Sequence, residues 1–213
     1  HPSADMDERE MRQLESAEPF AIDECPPLEA RFVHCAGITD QEFTLPFLRA
    51  LRDRGASLSV DMQSFVRQVD RHTREISFAD VPDKVEIVSL LDRVKLDVVE
   101  AELLTGTRDL EDAAATIQGW GCPEVVITRA EGVLARVRGE TLYERFSNRS
   151  QAGRTGRGDT TFAGYMVRRL TQQPGEALKF AAALVSIKME SPGPFDGCLE
   201  DVLARLEDAH RRS

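Results

Sequence analysis

The chain has 213 residues, of which 41% are hydrophobic and 6% aromatic, with 27 Lys and Arg against 37 Asp and Glu and a formal charge of -10. These proportions describe one globular domain long enough to bury a single core, and they exclude a collagen-like, mucin-like or disordered chain. The acidic balance repels a polyanionic backbone, which argues against general nucleic-acid binding but leaves room for a local basic pocket around one phosphate group.

Residues 1–30 read as a connecting segment: the stretch from Asp7 to Glu15 is charged and helix-compatible, and Pro19, Pro26 and Pro27 break any continuation. From Arg31 to Ser213 short apolar runs alternate with amphipathic segments, the pattern of β-α units around a mostly parallel sheet. Phe32 to Cys35 is a predicted strand. Glu42 to Arg54 is a predicted helix with Phe43, Phe47, Leu48 and Leu51 on one face, ended by Gly55. Leu58 to Asp61 is the next strand and leaves Asp61 at its carboxyl end, where open α/β sheets place ligand-contacting groups. Helices are expected over Val85 to Leu91, Val99 to Leu104 and Leu110 to Trp120, with a short strand over Val94 to Leu96. Val125 to Ile127 is a buried strand leading to Thr128, and Val133 to Val137 pairs with Leu142 to Phe146. A polar loop from Asn148 to Gly158 precedes helices over Thr160 to Leu170, Pro174 to Met189 and Cys198 to Arg212. In the second of these, Phe180 to Val185 is expected to be buried and the face with Lys179 and Lys188 to be solvated.

That longest apolar run is far below membrane-spanning length and no signal peptide is evident, so the expected place is the cytoplasm, with no membrane partner. Cys25, Cys35, Cys122 and Cys198 form no C-x-x-C pair, and His1, His34, His72 and His210 do not cluster with them, so neither a disulfide framework nor a structural zinc is suggested. The chain opens at His1 rather than Met, which reads as a trimmed or fragmentary copy of something longer.

The segment that carries chemistry runs from Gly153 through Arg154, Thr155, Gly156, Arg157, Gly158, Asp159, Thr160, Thr161, Phe162 and Ala163 to Gly164. A glycine-rich turn leading straight into a helix leaves backbone N–H groups for an anion, and the helix N-terminus adds about half a positive charge. Asp159 in the first turn reads either as a helix-capping carboxylate or as a general base beside that cradle.

Residues 153–159 resemble the C-terminal signature D-T-x-G-A-G-D of the PfkB/ribokinase family of carbohydrate and nucleoside kinases. Gly153 stands in place of the Asp and Arg157 in place of the Ala. The resemblance implies an anion hole for a γ-phosphoryl group at Gly156, Arg157 and Gly158, with Thr155 beside the donor and Asp159 as catalytic base. Lys95 to Gly106 is similar to the family's K-x-N-x-x-E-x-x-x-L-T-G, in which the acid organises hydrated magnesium. That implies metal-site roles for Glu100 and for Asp97, which replaces Asn; the competing reading is an acidic first helical turn favoured by the dipole. Val125 to Val133 resembles the strand and turn V-V-V-T-x-G-x-x-G, implying that Thr128 and Gly132 line the phosphate and ribose region, with Ala130 departing from the first Gly. Leu58 to Arg67 is similar to a strand-plus-Asp segment, giving Asp61 and Arg67 supporting roles.

The four segments occur in the family's order, while P-loop and G-x-G-x-x-G motifs are absent. The resemblance implies a ribokinase-like, three-layer α/β/α fold and transfer of the γ-phosphoryl group of ATP, with Mg2+, to a hydroxyl of a sugar or related polyol. A nucleoside kinase of the same family, and a catalytically silent nucleotide-binding module or truncated pseudokinase, are the alternatives. The family's Gly-Gly substrate signature and its small β-sheet lid, through which members often form homodimers, are not found on this sequence and are expected to precede His1.

Overall fold

The structure, a computed structural model, describes residues 11–210, excluding the side chains of residues 209 and 210. In chain order the elements are β1 (Met11–Arg12), a single 3-10 turn (Ile22–Glu24), β2 (Val33–Cys35), α1 (Leu45–Asp53), β3 (Leu58–Asp61), α2 (Gln63–Val66), β4 (Arg67–Val69), β5 (Glu75–Phe78), α3 (Lys84–Ser89), β6 (Arg93–Asp97), α4 (Val98–Thr105), α5 (Leu110–Gly119), β7 (Glu124–Thr128), β8 (Gly132–Val137), β9 (Glu140–Arg145), α6 (Arg157–Arg169), α7 (Pro174–Lys188) and α8 (Leu199–His210). The main sheet has the order β2-β3-β6-β7-β8-β9, parallel from β2 to β7 and antiparallel through the β7-β8-β9 meander.

Helices cover both faces of this sheet, as a mostly parallel sheet requires. On one face Leu58, Val60, Val94, Leu96, Val125 and Ile127 pack with α1, α3, α4 and α5 through Leu48, Leu51, Val88, Ala101, Leu104 and Ile117. On the other, Val126, Val133, Ala135 and Val137 pack with Phe162, Tyr165 and Met166 of α6 and Leu178 and Ala181 of α7. Strand alternation decides the division: Val125 and Ile127 point one way and Val126 the other. The arrangement is the expected three-layer α/β/α fold.

Several boundaries differ from the sequence expectation, each for a local reason. α1 starts at Leu45 rather than Glu42 because Thr44 caps it, its hydroxyl accepting from the Phe47 amide, and Pro46 occupies the first turn. α6 starts at Arg157 rather than Thr160, so the glycine-rich loop is itself the helix entrance. Within the segment read as helix-compatible, Met11–Arg12 is instead a strand; residues 7–10, like 211–212 of the last predicted helix, lie outside the described residues.

The sequence reading places no small second sheet within the chain and expects the family's to precede His1, but the structure has one here: β1, β5 and β4 form a three-stranded antiparallel sheet. Its hairpin turn is closed by Asp70, whose carboxylate accepts from the amides of His72 and Thr73 at 2.8 Å each, and by Arg74 at a positive φ of 61°. It hangs from the carboxyl ends of β2 and β3: the Asp40 amide donates to the Arg67 carbonyl and the Asp40 carboxylate accepts from the Val69 amide. No described helix is long and apolar enough to cross a membrane.

Phe162 is 1% exposed and joins α6 both to the second core and to the His34 ring, whose centroid lies 4.8 Å away. Phe162→Ala is expected to lower unfolding free energy by about 3–5 kcal/mol, read from urea denaturation; a loss below about 1 kcal/mol would show that this side of the sheet is not tightly packed.

Candidate active site

The second face of the sheet is apolar only under α6 and α7. Toward β2, β3 and β6 the same face carries His34, Ser59, Asp61, Arg93, Lys95 and Asp97, which register and alternation place together. His34 Nδ1 meets Ser59 Oγ at 3.0 Å. Asp61 and Lys95, 1% and 5% exposed, form an ion pair at 2.8 Å between adjacent parallel strands. Burial alone would lower the Lys95 pKa, but the charges of Asp61, Glu100 and Asp97 outweigh it and raise the pKa above its ordinary value.

α6 enters beside these charges. Gly156 is its N-cap at φ 79°, a left-handed conformation that favours glycine, and no side chain caps the helix. A Cβ on Gly158 would lie 3.0 Å from Lys95 Nζ and 3.7 Å from Thr128 Oγ1, so the helix entrance sits directly on the charged part of the sheet. Asp159, third residue of α6, is exposed. Its carboxylate is therefore open to solvent beside the amide end of the helix, and the capping reading does not describe it.

The loop amides assigned to an anion hole are not equivalent. The Arg157 amide donates to the Arg154 carbonyl at 3.1 Å and is already engaged. The Arg157 side chain is half-buried, and its charge, after the Arg129 hydrogen bond and charge, helps hold Glu131 below the usual carboxylate range. Thr155 is exposed. Gly153, where the family signature has Asp, cannot carry a side chain: a Cβ would stand 1.7 Å from the Ser191 carbonyl oxygen.

Two residues expected to line a nucleotide have other local duties. Thr128 is buried beneath α6, its hydroxyl donating over 3.4 Å to the Leu96 carbonyl. Gly132 is not a turn glycine; it begins β8, and a Cβ there would lie 2.5 Å from the Tyr143 hydroxyl and the Glu144 carbonyl oxygen.

Asp97 and Glu100 form a reciprocal capping box on α4: the Glu100 amide donates to Asp97 Oδ1 at 2.9 Å and the Asp97 amide to Glu100 Oε2 at 2.8 Å. That box engages two of the four carboxylate oxygens. Glu100 is fully buried and its Oε1 has no hydrogen-bond partner. Burial, then the Asp97 charge, push the Glu100 carboxyl up to about 8 despite the opposing Lys95. No group of three metal-ligating side chains converges among the described residues. The unpartnered Glu100 Oε1 is an acceptor that would fit a water of a hydrated magnesium ion.

A scan against known protein families finds no matching profile. Among solved structures, a pyrophosphate-dependent kinase of the ribokinase family in a sulfate complex superimposes with a TM-score of 0.85 at 34% identity, covering 94% of this chain and 71% of that one. The chain belongs to the ribokinase family. A pyrophosphate-dependent kinase of the same family, complexed with a pyrophosphate analog and myo-inositol, gives a TM-score of 0.84 at 34% identity over 92% of this chain and 70% of that one. Among curated proteins, the cytidine kinase of Thermococcus kodakarensis is 34% identical over 108 residues, which is 50% of this chain and 35% of that protein, so the chain matches about a third of that relative's length.

Lys95, His34 and Lys188 were given no role in the site by sequence reasoning. Lys95 could have been found from the alternation of β6 around Asp97, whereas His34 and Lys188 reach the site only through tertiary packing. Lys188 corrects the expectation of a solvated side chain: it is 4% exposed, its ammonium satisfied by the carbonyls of Gly153 and Thr155.

Because the folded Glu100 keeps its proton to higher pH than the unfolded chain does, stability should fall as pH rises from about 4.5 toward 8, with a slope of at most about 1.4 kcal/mol per pH unit. Glu100→Gln, which retains the oxygen that accepts from Asp97, is expected to flatten that decline in thermal melts across the window. Parallel curves for the two proteins would place the burden on another group.

Proposed function

We propose that the chain is the catalytic portion of a ribokinase-family kinase that transfers the terminal phosphoryl group of pyrophosphate to a hydroxyl of a polyol or sugar, with residues 31–213 as its catalytic domain. The observation that carries this reading is the exposed Asp159 carboxylate one turn inside α6, beyond a left-handed Gly156 at an uncapped helix entrance. An acceptor hydroxyl beside Asp159 gives up its proton to the carboxylate as its oxygen bonds to phosphorus. The bond from phosphorus to the bridging oxygen breaks, and the second phosphate leaves with that electron pair. The amides of Gly156 and Gly158 and the α6 dipole oppose the charge on the transferring group.

Pyrophosphate is preferred to ATP, the donor implied by the motifs, on two grounds. The pyrophosphate-dependent relatives share 34% identity over nearly the whole chain. A donor without adenine must also be held by its phosphates alone, and Arg157 brings a guanidinium to the loop where the family signature has Ala. Magnesium, when bound, neutralises donor phosphate charge, with Glu100 accepting from its water and Asp97 fixing Glu100 through the capping box. Thr155 lies exposed within the loop and Thr128 is buried near Gly158. The myo-inositol complex and the cytidine kinase make an inositol the first acceptor to test and a nucleoside the second.

Phosphoryl transfer measured with pyrophosphate and with ATP against inositols, sugars and nucleosides is expected to show turnover dependent on one acceptor, faster with pyrophosphate. Asp159→Asn should lower kcat by at least ~100-fold with little change in donor affinity. Donor binding with no turnover on any acceptor would favour the catalytically silent module, and turnover with ATP alone would return the donor to a nucleotide.

A further inference from the structure

Lys188 ends α7, and the turn that follows is the template on which the glycine-rich loop is laid. The Gly153 amide donates to the Met189 carbonyl at 2.8 Å, the Ser147 amide to Ser186 Oγ at 2.8 Å, and the Arg149 amide to Glu190 Oε1 at 2.9 Å. Within this frame Lys188 Nζ donates to two loop carbonyls, those of Gly153 and Thr155. Its Cε lies 3.9 Å from the position a Cβ would take on Gly156. A buried ammonium is thus wrapped by the residues that lead into α6.

Peptide geometry gives this contact a consequence. No described peptide bond is cis, and in a trans peptide the N–H of one residue points opposite to the carbonyl of the residue before it. With the Thr155 carbonyl drawn onto Lys188, the Gly156 amide is turned away from the ammonium. The left-handed Gly156 then redirects the chain into the helix. The positive charge also offsets the carbonyl dipoles that would otherwise face an incoming phosphate.

We propose that Lys188 is a positioning residue that serves as an internal cation: it orients the loop so that its amides face a phosphate group, with no free monovalent cation required. This rests on the kinase reading only in taking a phosphate as the group held, and direct binding separates the two. The test is calorimetric titration of the full chain with inorganic pyrophosphate, in choline, sodium, potassium and ammonium chloride at equal ionic strength, alongside turnover.

Wild-type affinity is expected to change less than twofold among these salts. Lys188→Met, similar in length but uncharged, should bind pyrophosphate roughly tenfold or more weakly and lose about 10–100-fold in kcat, less than removing an anion-hole donor itself. In Lys188→Ala, ammonium or potassium should restore binding at least several-fold where choline does not, because a small cation can re-enter the carbonyl-lined space. Affinity of Lys188→Met within twofold of wild type overturns the proposal. So does a loss that no cation restores, which marks a purely structural side chain, or a wild-type protein that needs potassium by tenfold or more. If neither variant folds, the wild-type salt series decides alone. Pyrophosphate binding that follows the expected pattern without turnover on any acceptor would sink the kinase reading and leave the role of Lys188 standing.

Discussion

The buried ion pair between Asp61 and Lys95 is the constraint around which the site is arranged. A carboxylate and an ammonium withdrawn from water must be closely paired, and breaking such a pair is costly even where the pair itself adds little net stability. Here Asp61 ends β3 and Lys95 lies midway along β6, and the two strands are parallel neighbours. Meeting the constraint turns one end of a sheet face from apolar to charged. Gly158 of α6 approaches it closely, where a Cβ would press on the end of the Lys95 side chain.

The two halves of that face explain why α6 lies where it does. Phe162, Tyr165 and Met166 bury on the apolar half beneath β7 and β8 and hold the helix down, while its first turn projects over the charged half. Apolar packing therefore fixes the helix axis, and the charges determine what can lie at its entrance. On the far side, the end of α7 and the turn after it hold the loop through Lys188, Met189 and Glu190. Reactive groups at the ends of parallel strands, next to a helix N-terminus, combine backbone donors with side-chain charge in a small volume.

Much of this was legible in the amino-acid order. The buried strand Val125 to Ile127 reads directly because both faces are packed, so no polar residue interrupts it. The glycine loop reads from its residue order, and Asp159 as a base from the family resemblance, since the residues by themselves leave a capping carboxylate as the other reading. The small sheet was illegible: β4 and β5 run three and four residues, mix charged and apolar side chains, and owe their pairing to a turn closed by Asp70 and Arg74. Gly132 was legible as a glycine but not for its reason, since the neighbour that excludes a side chain is Tyr143 on the paired strand.

The sequence by itself determined the alternation of strands and helices, the membership of Gly156, Gly158 and Asp159 in one helix entrance, and the Asp97 and Glu100 spacing. These depend on neighbours within a few residues, where periodicity and capping chemistry act. Tertiary structure alone decided that Lys95 meets Asp61 across 34 residues, that Thr128 lies under the helix rather than open to a ligand, and that Lys188 turns inward. Helical periodicity assigns a lysine near the end of a helix to solvent. It carries no record of the two carbonyls, more than thirty residues earlier in the chain, that make burial of its charge favourable.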